Sequence, residues 1–210
     1  QCRIEEGFLV NRERPEQRVT LSEIALHGQQ VSRRGELCAS VPYYSVAAPG
    51  TYAADYAQVA VNVKTGVAKV EKFYAVHDAG RVINPMMLEG QIEGGIQMGL
   101  GYALLEELKV DPETGRIINC NARKYPIYKA ADMPEITVDY IEDGLEENGP
   151  FGAKSCSEIT VVPVAPAILN AINRALGTQL CDLPATPERI QAALAAKAGQ
   201  TNISPKEAGK

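Results

Sequence analysis

The chain has 210 residues, 45% of them hydrophobic and 22% charged, a composition typical of a globular protein with a buried core. Its formal net charge of −5, without a basic cluster, argues against a nucleic-acid partner. No apolar run reaches the roughly 18 residues that span a bilayer, so no membrane partner is expected. The five cysteines are scattered and lack the spacing of zinc or iron–sulfur ligands, which favours reduced thiols in a cytoplasmic protein.

Residues 1–54 are irregular, and we expect them to be a lead-in that continues from a preceding segment of a larger protein. The stretch TLSEIALHG indicates a short helix or turn, with Thr20 or Ser22 near its start and His27 near its end. The following stretch PYYSVAAPGTYAADYA is typical of an extended connection with turn residues. No core pattern is evident in this region.

Residues 55–199 contain strands followed by helices. The runs YAQVAVNV and VAKVEKFYAV alternate around Lys64, Thr65 and Gly66, which predicts a β-hairpin. The stretch ELKVDPETGRIIN predicts a second hairpin, and EITVDYIE another strand. Without regular βαβ alternation, this order predicts an α+β fold of antiparallel strands and hairpins packed with helices.

The spacing of apolar residues, together with residues typical of helix ends, predicts three helices. The segment NPMMLEGQIEGGIQMGLGYALLEEL has an apolar stripe at every fourth residue, and APAILNAINRALG ends at Gly177, which suits a C-terminal cap. TPERIQAALAAK has Thr186 as N-cap and Pro187 as its first helical residue. Residues 200–210 are predicted to be a frayed tail.

The first of these helices carries many glycines, each of which costs about 0.5–1 kcal/mol relative to alanine in a helix interior. Gly90 and Gly94 lie four residues apart, as do Gly95 and Gly99, so bare backbone faces outward along the helix. Such a face admits either tight internal packing or a ligand. Gln91, expected in the first turn, is either a solvent-exposed amide or one that contacts the edge of a heterocycle.

The loop GPFGAKSCSE ends in Glu158, which has two interpretations. Ser155 and Glu158 fit the S-x-x-E capping box of a helix start. The β-branched run after Glu158 and the nearby Pro163 weaken that interpretation. A partly desolvated carboxylate among small residues could instead act as a general base. The residues alone leave both possibilities open.

The segments DAGRVINPMMLEGQIEGGIQMGLGYALLEE, GPFGAKSCSE, VAPAILNAINRALG and LPATPERI resemble, in this order, the C-terminal end of the molybdenum-binding subunit of the xanthine dehydrogenase/aldehyde oxidase family. The resemblance covers roughly residues 55 to 195. It implies that Glu158 is the catalytic base and that Gln91 contacts the pterin of the molybdenum cofactor. It also implies that the loop residues Lys154, Ser155, Cys156 and Ser157 lie against that cofactor.

The resemblance further implies hydroxylation of an electron-poor carbon of a heterocycle or an aldehyde, with the oxygen atom supplied by water. Iron–sulfur clusters and FAD on partner domains or subunits would carry the electrons away. Whether the pterin is in a cytosine dinucleotide form is left open. No metal ligand is assigned in this chain, because the family's molybdenum is held by pterin sulfurs, and Cys156 is expected to be a small packing residue.

Two departures from the family pattern matter. The family loop usually reads K-G-V-G-E, whereas Ser155 and Ser157 replace both glycines here. Such loops resemble those of a purine-type or selenium-dependent branch. The family's subunit is also several times longer, so this chain is expected to be inactive alone and to need the rest of the subunit. The alternative is a non-catalytic structural or assembly domain derived from the same family.

An independent hydrolase is a third possibility, but the sequence offers no nucleophile–base pair for it. The two histidines are His27 and His77. His77 and the neighbouring Asp78 end a predicted strand and are expected to form a structural pair rather than part of a triad.

Overall fold

A computed structural model describes residues 2–31, 35, 38–42, 44, 50–142 and 149–201. By its internal contacts the chain divides into two units, residues 1–44 and 45–210. The boundaries predicted after residues 54 and 199 remain predictions. Most of the predicted tail, residues 202–210, lies outside the described residues.

The first unit contains a small antiparallel sheet that the sequence analysis did not anticipate. Its strands are β1 (Cys2–Glu5), β2 (Phe8–Asn11) and β3 (Arg18–Thr20), in that order. They are only three or four residues long and mostly exposed, so they show no alternating pattern. Helix α1 (Leu21–Leu26) follows, with Thr20 as N-cap in a capping box with Glu23. His27 is its C-cap, and both predicted ends are confirmed.

The second unit contains a three-stranded sheet of β4 (Tyr52–Val61), β5 (Ala68–Asp78) and β6 (Glu135–Ile141). The predicted hairpin of β4 and β5 is confirmed, although β4 begins at Tyr52, inside the stretch expected to be a connection. Strand β6 pairs with β5 in parallel, so the prediction of antiparallel strands is wrong for this pair, and the sheet is mixed. The second predicted hairpin is reduced to one bridge between Val110 and Ile117.

The second unit also contains the helices α2 (Pro85–Leu104), α3 (Val164–Leu176) and α4 (Pro187–Thr201), of which α3 contacts β4 and α2 contacts β6. Asn84 caps α2 by accepting a hydrogen bond from the Met87 amide at 3.2 Å. Gly177 ends α3 in the left-handed conformation, with φ 63°. Thr186 accepts a hydrogen bond from the Arg189 amide at 3.3 Å, as expected for an N-cap. The α+β class is confirmed.

The core lies between this sheet and the helices α2 and α3, which also contact each other. The predicted apolar stripe of α2 is buried, together with residues of α3, α4 and β5: Ile92, Ile96, Leu100, Leu104, Ile168, Ile172, Ile190, Val70 and Phe73. The segment Glu158–Leu176 has the length and composition of a membrane span, with mean hydropathy 1.4. One face of α3 within this segment is buried in the core, through Val164, Ala165, Ile168, Ile172 and Leu176.

The glycines of α2 divide into two groups. Gly95 and Gly99 are buried, and a side chain at either would collide with Thr160 or Val164. At Gly90 and Gly94 an added methyl group would meet nothing within 4 Å. Tight internal packing therefore explains the first pair, and the second pair leaves an open face on the helix.

Alanine substitutions at the neighbouring residues Gly94 and Gly95 should change the free energy of unfolding in opposite directions. A methyl group at Gly95 would lie 2.5 Å from the Thr160 Cβ and 2.8 Å from its carbonyl carbon. We expect Gly95→Ala to lower the free energy of unfolding by roughly 1–3 kcal/mol through overpacking. Gly94→Ala, its matched control, should raise it by about 0.5–1 kcal/mol. Urea denaturation measures both, and a stabilising Gly95→Ala would contradict this packing.

Candidate functional site

The site begins where β5 ends. Asp78 accepts a hydrogen bond from the Gly80 amide at 3.1 Å, which turns the chain sharply toward the start of α2. Gly80 has φ 59°, a left-handed conformation that suits glycine. Gln91 lies on α2 with its side chain exposed. Because the helix begins at Pro85, Gln91 is in the second turn and not in the first turn as predicted.

The loop from Gly149 to Glu158 lies against this turn. Gly80 forms an antiparallel bridge with Ala153, and the Lys154 amide donates to the Ala79 carbonyl at 2.9 Å. Phe151 has φ 57°, a left-handed conformation that is uncommon for a residue with a Cβ, and its ring is 84% exposed. The loop therefore contacts the end of β5 through backbone pairing and presents an aromatic side chain to solvent.

Glu158 begins a short 3₁₀ helix, Glu158–Thr160, rather than completing a capping box. Among the described residues, the Ser155 hydroxyl accepts no hydrogen bond from the Glu158 amide, and the Glu158 carboxylate accepts none from the Ser155 amide, so both bonds of a capping box are missing. Instead, the Ser157 hydroxyl donates to the Glu158 carboxylate. This bond, and a second one from the Glu158 amide, lower the pKa of the exposed carboxyl group. Glu158 is therefore an ionised, outward-facing carboxylate, and the capping-box interpretation is wrong.

Two neighbouring grooves share Gln91 as a common wall. One, of about 340 Å³, extends from Gln91 to Arg81, Asn84, Lys154 and Cys156. The other, of about 470 Å³, extends from Gln91 to Ser157 and Glu158. The fold thus brings together an amide and a carboxylate that are 67 positions apart in the sequence.

The remaining predicted site residues take different positions. The Lys154 ammonium lies 2.6 Å from Asp78 Oδ2, as an ion pair with side chains only 11% and 20% exposed. Cys156 is half-buried against the core, which raises the pKa of its thiol. Ser155 is exposed and is not among the residues that line either groove.

The sequence analysis missed several contributors to these grooves. Tyr102, three turns after Gln91 on α2, donates to the Val161 carbonyl at 3.2 Å and lines the groove of Glu158. Arg81 and Asn84 line the other groove. Helical spacing from Gln91 could have indicated Tyr102. Nothing in the sequence indicates the ion pair of Asp78 with Lys154, since 76 positions separate the two residues.

The prediction that His77 and Asp78 pair with each other is wrong. Because successive strand residues point to opposite faces, Asp78 pairs with Lys154 while His77 lies over Asp55 on β4. The Asp55 and His77 side chains are 0% and 1% exposed, with Oδ1 3.9 Å from Nε2. Within the described part of the chain, their polar side-chain atoms have no hydrogen-bond partner. Burial raises the pKa of Asp55 to about 7 and lowers the pKa of His77.

Comparisons with known proteins identify the family of this chain. Residues 1–134 match the family described as the molybdopterin cofactor-binding domain. The xanthine dehydrogenase molybdenum-binding subunit of Escherichia coli O157:H7 is 32% identical over 186 residues, which are 88% of this chain and 25% of the relative. The aldehyde oxidoreductase molybdenum-binding subunit PaoC of Escherichia coli is 34% identical over 140 residues, which are 67% of this chain and 19% of that subunit.

Among solved structures, the quinoline 2-oxidoreductase from Pseudomonas putida 86 superposes with a TM-score of 0.69 at 26% identity. The match covers 92% of this chain and 26% of that chain. The chain belongs to the molybdopterin cofactor-binding domains of the xanthine dehydrogenase/aldehyde oxidase family of molybdenum-binding subunits. It spans about a quarter of the length of the xanthine dehydrogenase subunit that it matches.

The residues at the grooves fit a pterin-type group. The exposed amide of Gln91 can both donate to and accept from the edge of a heterocycle. Next to it in the sequence and on the following turn, Gly90 and Gly94 have no side chain, and an added methyl group there would meet nothing within 4 Å. Among the residues that the structure describes, no cluster of three His, Cys, Asp or Glu side chains could ligate a metal.

Proposed function

We propose that this chain is the C-terminal catalytic portion of a molybdenum hydroxylase, with Glu158 as its general base. The observation that carries the proposal is that Gln91 and Glu158 line one groove. A site for both the cofactor and the reacting carbon requires an amide and a base that face the same space. The hydroxylated substrate is a heterocycle of the xanthine or hypoxanthine kind, or an aldehyde.

Each residue has a distinct role in this proposal. The Gln91 amide hydrogen-bonds the pterin, and the groove-lining loop residues Lys154, Cys156 and Ser157 lie along one side of it. The bound molybdenum cofactor supplies the two-electron oxidation and the activation of water. The Glu158 carboxylate accepts the proton of the attacking oxygen nucleophile, a step in which a positioned base contributes roughly 10²- to 10⁴-fold.

The charge state of Glu158 supports this role. Its lowered pKa keeps the carboxylate ionised near neutral pH, as a base requires. In the complete enzyme, burial under the rest of the subunit would oppose this effect and raise the pKa, which brings the base closer to the working pH. The Ser157 hydroxyl, which replaces a family glycine, would then hold the carboxylate in one orientation.

The proposal includes partners and cofactors beyond this chain. Iron–sulfur clusters and FAD on other domains or subunits accept the electrons, and the enzyme works in the cytoplasm. The pterin is bound between this chain and the rest of the molybdenum-binding subunit, so the chain alone is inactive. The names of relatives that act on xanthine, quinoline and aldehydes support the two substrate classes.

The second candidate is a structural or assembly domain that lost its activity. The hydrogen bond between Ser157 and Glu158 favours it, because this bond occupies part of the carboxylate that a base must leave free. Replacing Glu158 by glutamine in the complete enzyme discriminates between the two. Loss of turnover with molybdenum retained supports the base, and unchanged turnover supports the structural domain.

A further inference from the structure

The loop that carries Glu158 is attached to the end of β5 by backbone hydrogen bonds. The Arg81 amide donates to the Gly152 carbonyl at 2.8 Å, and the Lys154 amide donates to the Ala79 carbonyl at 2.9 Å. The approach is so close that a methyl group at Gly80 would lie 2.6 Å from the Gly152 carbonyl oxygen. Two such bonds on an otherwise irregular loop leave its position dependent on further contacts.

The Asp78 carboxylate supplies the side-chain part of this attachment. Its Oδ1 accepts from the Gly80 amide at 3.1 Å, and its Oδ2 lies 2.6 Å from the Lys154 ammonium. The hydrogen bond from Lys154 lowers the pKa of Asp78, so the pair is ionic near neutral pH. Charge-assisted bonds of this length are among the stronger ones in proteins, and partial burial protects them from salt.

The same carboxylate joins the two elements that present the proposed functional residues. Asp78 lies six positions before Asn84, the N-cap of the helix that carries Gln91. Lys154 lies four positions before Glu158. Four residues of unattached chain could reach about 14 Å, far more than a proton transfer tolerates. On the other side of Glu158, Thr160 is buried against Gly95.

We propose that Asp78 and Lys154 are positioning residues, whose ion pair fixes the distance between Glu158 and the groove wall at Gln91. The proposal rests on the function proposed for Glu158. In it, the Lys154 ammonium binds the Asp78 carboxylate. Glu158 is then held between two attachments, the ion pair before it and the Thr160–Gly95 contact after it. The Tyr52 ring lies 5.9 Å from the same ammonium group.

The test uses the complete enzyme with Asp78→Asn, Lys154→Met, the double variant and the conservative Lys154→Arg. Lys72→Met is the matched control. Lys72 lies on β5, the strand of Asp78, and its ion pair with Glu135, at 3.3 Å, is on the exposed surface. Amide hydrogen exchange at Arg81 and Lys154 reports the attachment of the loop. Molybdenum content and the separate values of kcat and KM, with hypoxanthine and benzaldehyde as probes, report the site.

We expect exchange at both amides to become about tenfold faster or more in Asp78→Asn and Lys154→Met. In the same variants kcat should fall on the order of 10²-fold, because a displaced base loses the benefit of orientation. KM and molybdenum content should change little. The double variant should resemble either single one, Lys154→Arg should retain most of the turnover, and Lys72→Met should match the parent.

Unchanged exchange in both single variants would overturn the proposal, and so would faster exchange with unchanged kcat while Glu158→Gln is inactive. Multiplying effects in the double variant would also overturn it, since two independent roles would then be at work. If Asp78→Asn does not fold, Lys154→Met and Lys154→Arg decide alone. Should Glu158→Gln remain active, the proposed function fails, and exchange at Arg81 and Lys154 still decides whether the ion pair fixes the loop.

Discussion

In the complete enzyme, Glu158→Gln should reduce kcat by roughly 10²- to 10⁴-fold, the usual contribution of a positioned general base. Glutamine keeps the size of the side chain and can still accept the hydrogen bond from Ser157, but it cannot take up a proton. Because Glu158 is exposed in this chain and outside the core, we expect unchanged folding and an unchanged molybdenum content. Steady-state kinetics and metal analysis of the same preparation measure both.

The control for this variant is Glu135→Gln. Glu135 is an exposed glutamate on β6 that pairs with Lys72 and is not among the residues that line either groove. The Glu135→Gln variant should have the kcat and the metal content of the parent enzyme. Turnover of Glu158→Gln within about twofold of the parent would identify the carboxylate as dispensable and favour the structural domain.

Asp55→Asn should make the chain more stable above neutral pH. Burial raises the pKa of Asp55 from 3.8 to about 7, so the folded state keeps a proton that the unfolded state has released. Stability therefore falls as pH rises from about 4 to about 7. Three pKa units correspond to roughly 4 kcal/mol. Asparagine does not ionise, so the stability gained over the parent should increase through this range and then stay constant.

Urea denaturation of the parent and Asp55→Asn chains at several pH values between about 4 and 8 gives this difference directly. His77 contributes with the opposite sign below about pH 6.5, because its lowered pKa leaves the folded imidazole neutral where the unfolded one is charged. Because His77 Nε2 lies 3.9 Å from Asp55 Oδ1, the two contributions are coupled, and the same comparison in a His77→Gln background separates them. Asp182→Asn, at an exposed aspartate, is the control. Parallel stability profiles of Asp55→Asn and the parent would contradict the buried carboxyl group.

Periodicity predicted the elements that bury a continuous stripe. The apolar residues four apart on α2 and the alternation of β4 and β5 are consequences of packing against one core, and the structure confirms both. The strands β1 to β3 escaped detection because they are short and bury little beyond Val10. The parallel partner of β5 escaped for a different reason. A strand pattern indicates which face is buried but carries no information about the direction of its neighbour.

The candidate site depended more on resemblance than on pattern. From the residues alone, Glu158 was either a cap or a base, and the structure removes only the capping box. Likewise, spacing could not distinguish Gly94 from Gly95, since the contacting residue, Thr160, is more than 60 positions away. Asp78 pairs with Lys154 and Asp55 lies against His77. Both contacts join residues far apart in the chain, and a single sequence does not predict such contacts.

The central claim is that this chain contributes Gln91 and Glu158 to a molybdenum site completed by the rest of the subunit. Native mass spectrometry with metal analysis, on the 210-residue chain alone and on the assembly isolated from its source, tests it most directly. The account predicts stoichiometric molybdenum and pterin in the larger assembly and neither in the chain alone. A metal-free particle in both preparations would contradict it and identify the chain as a structural domain.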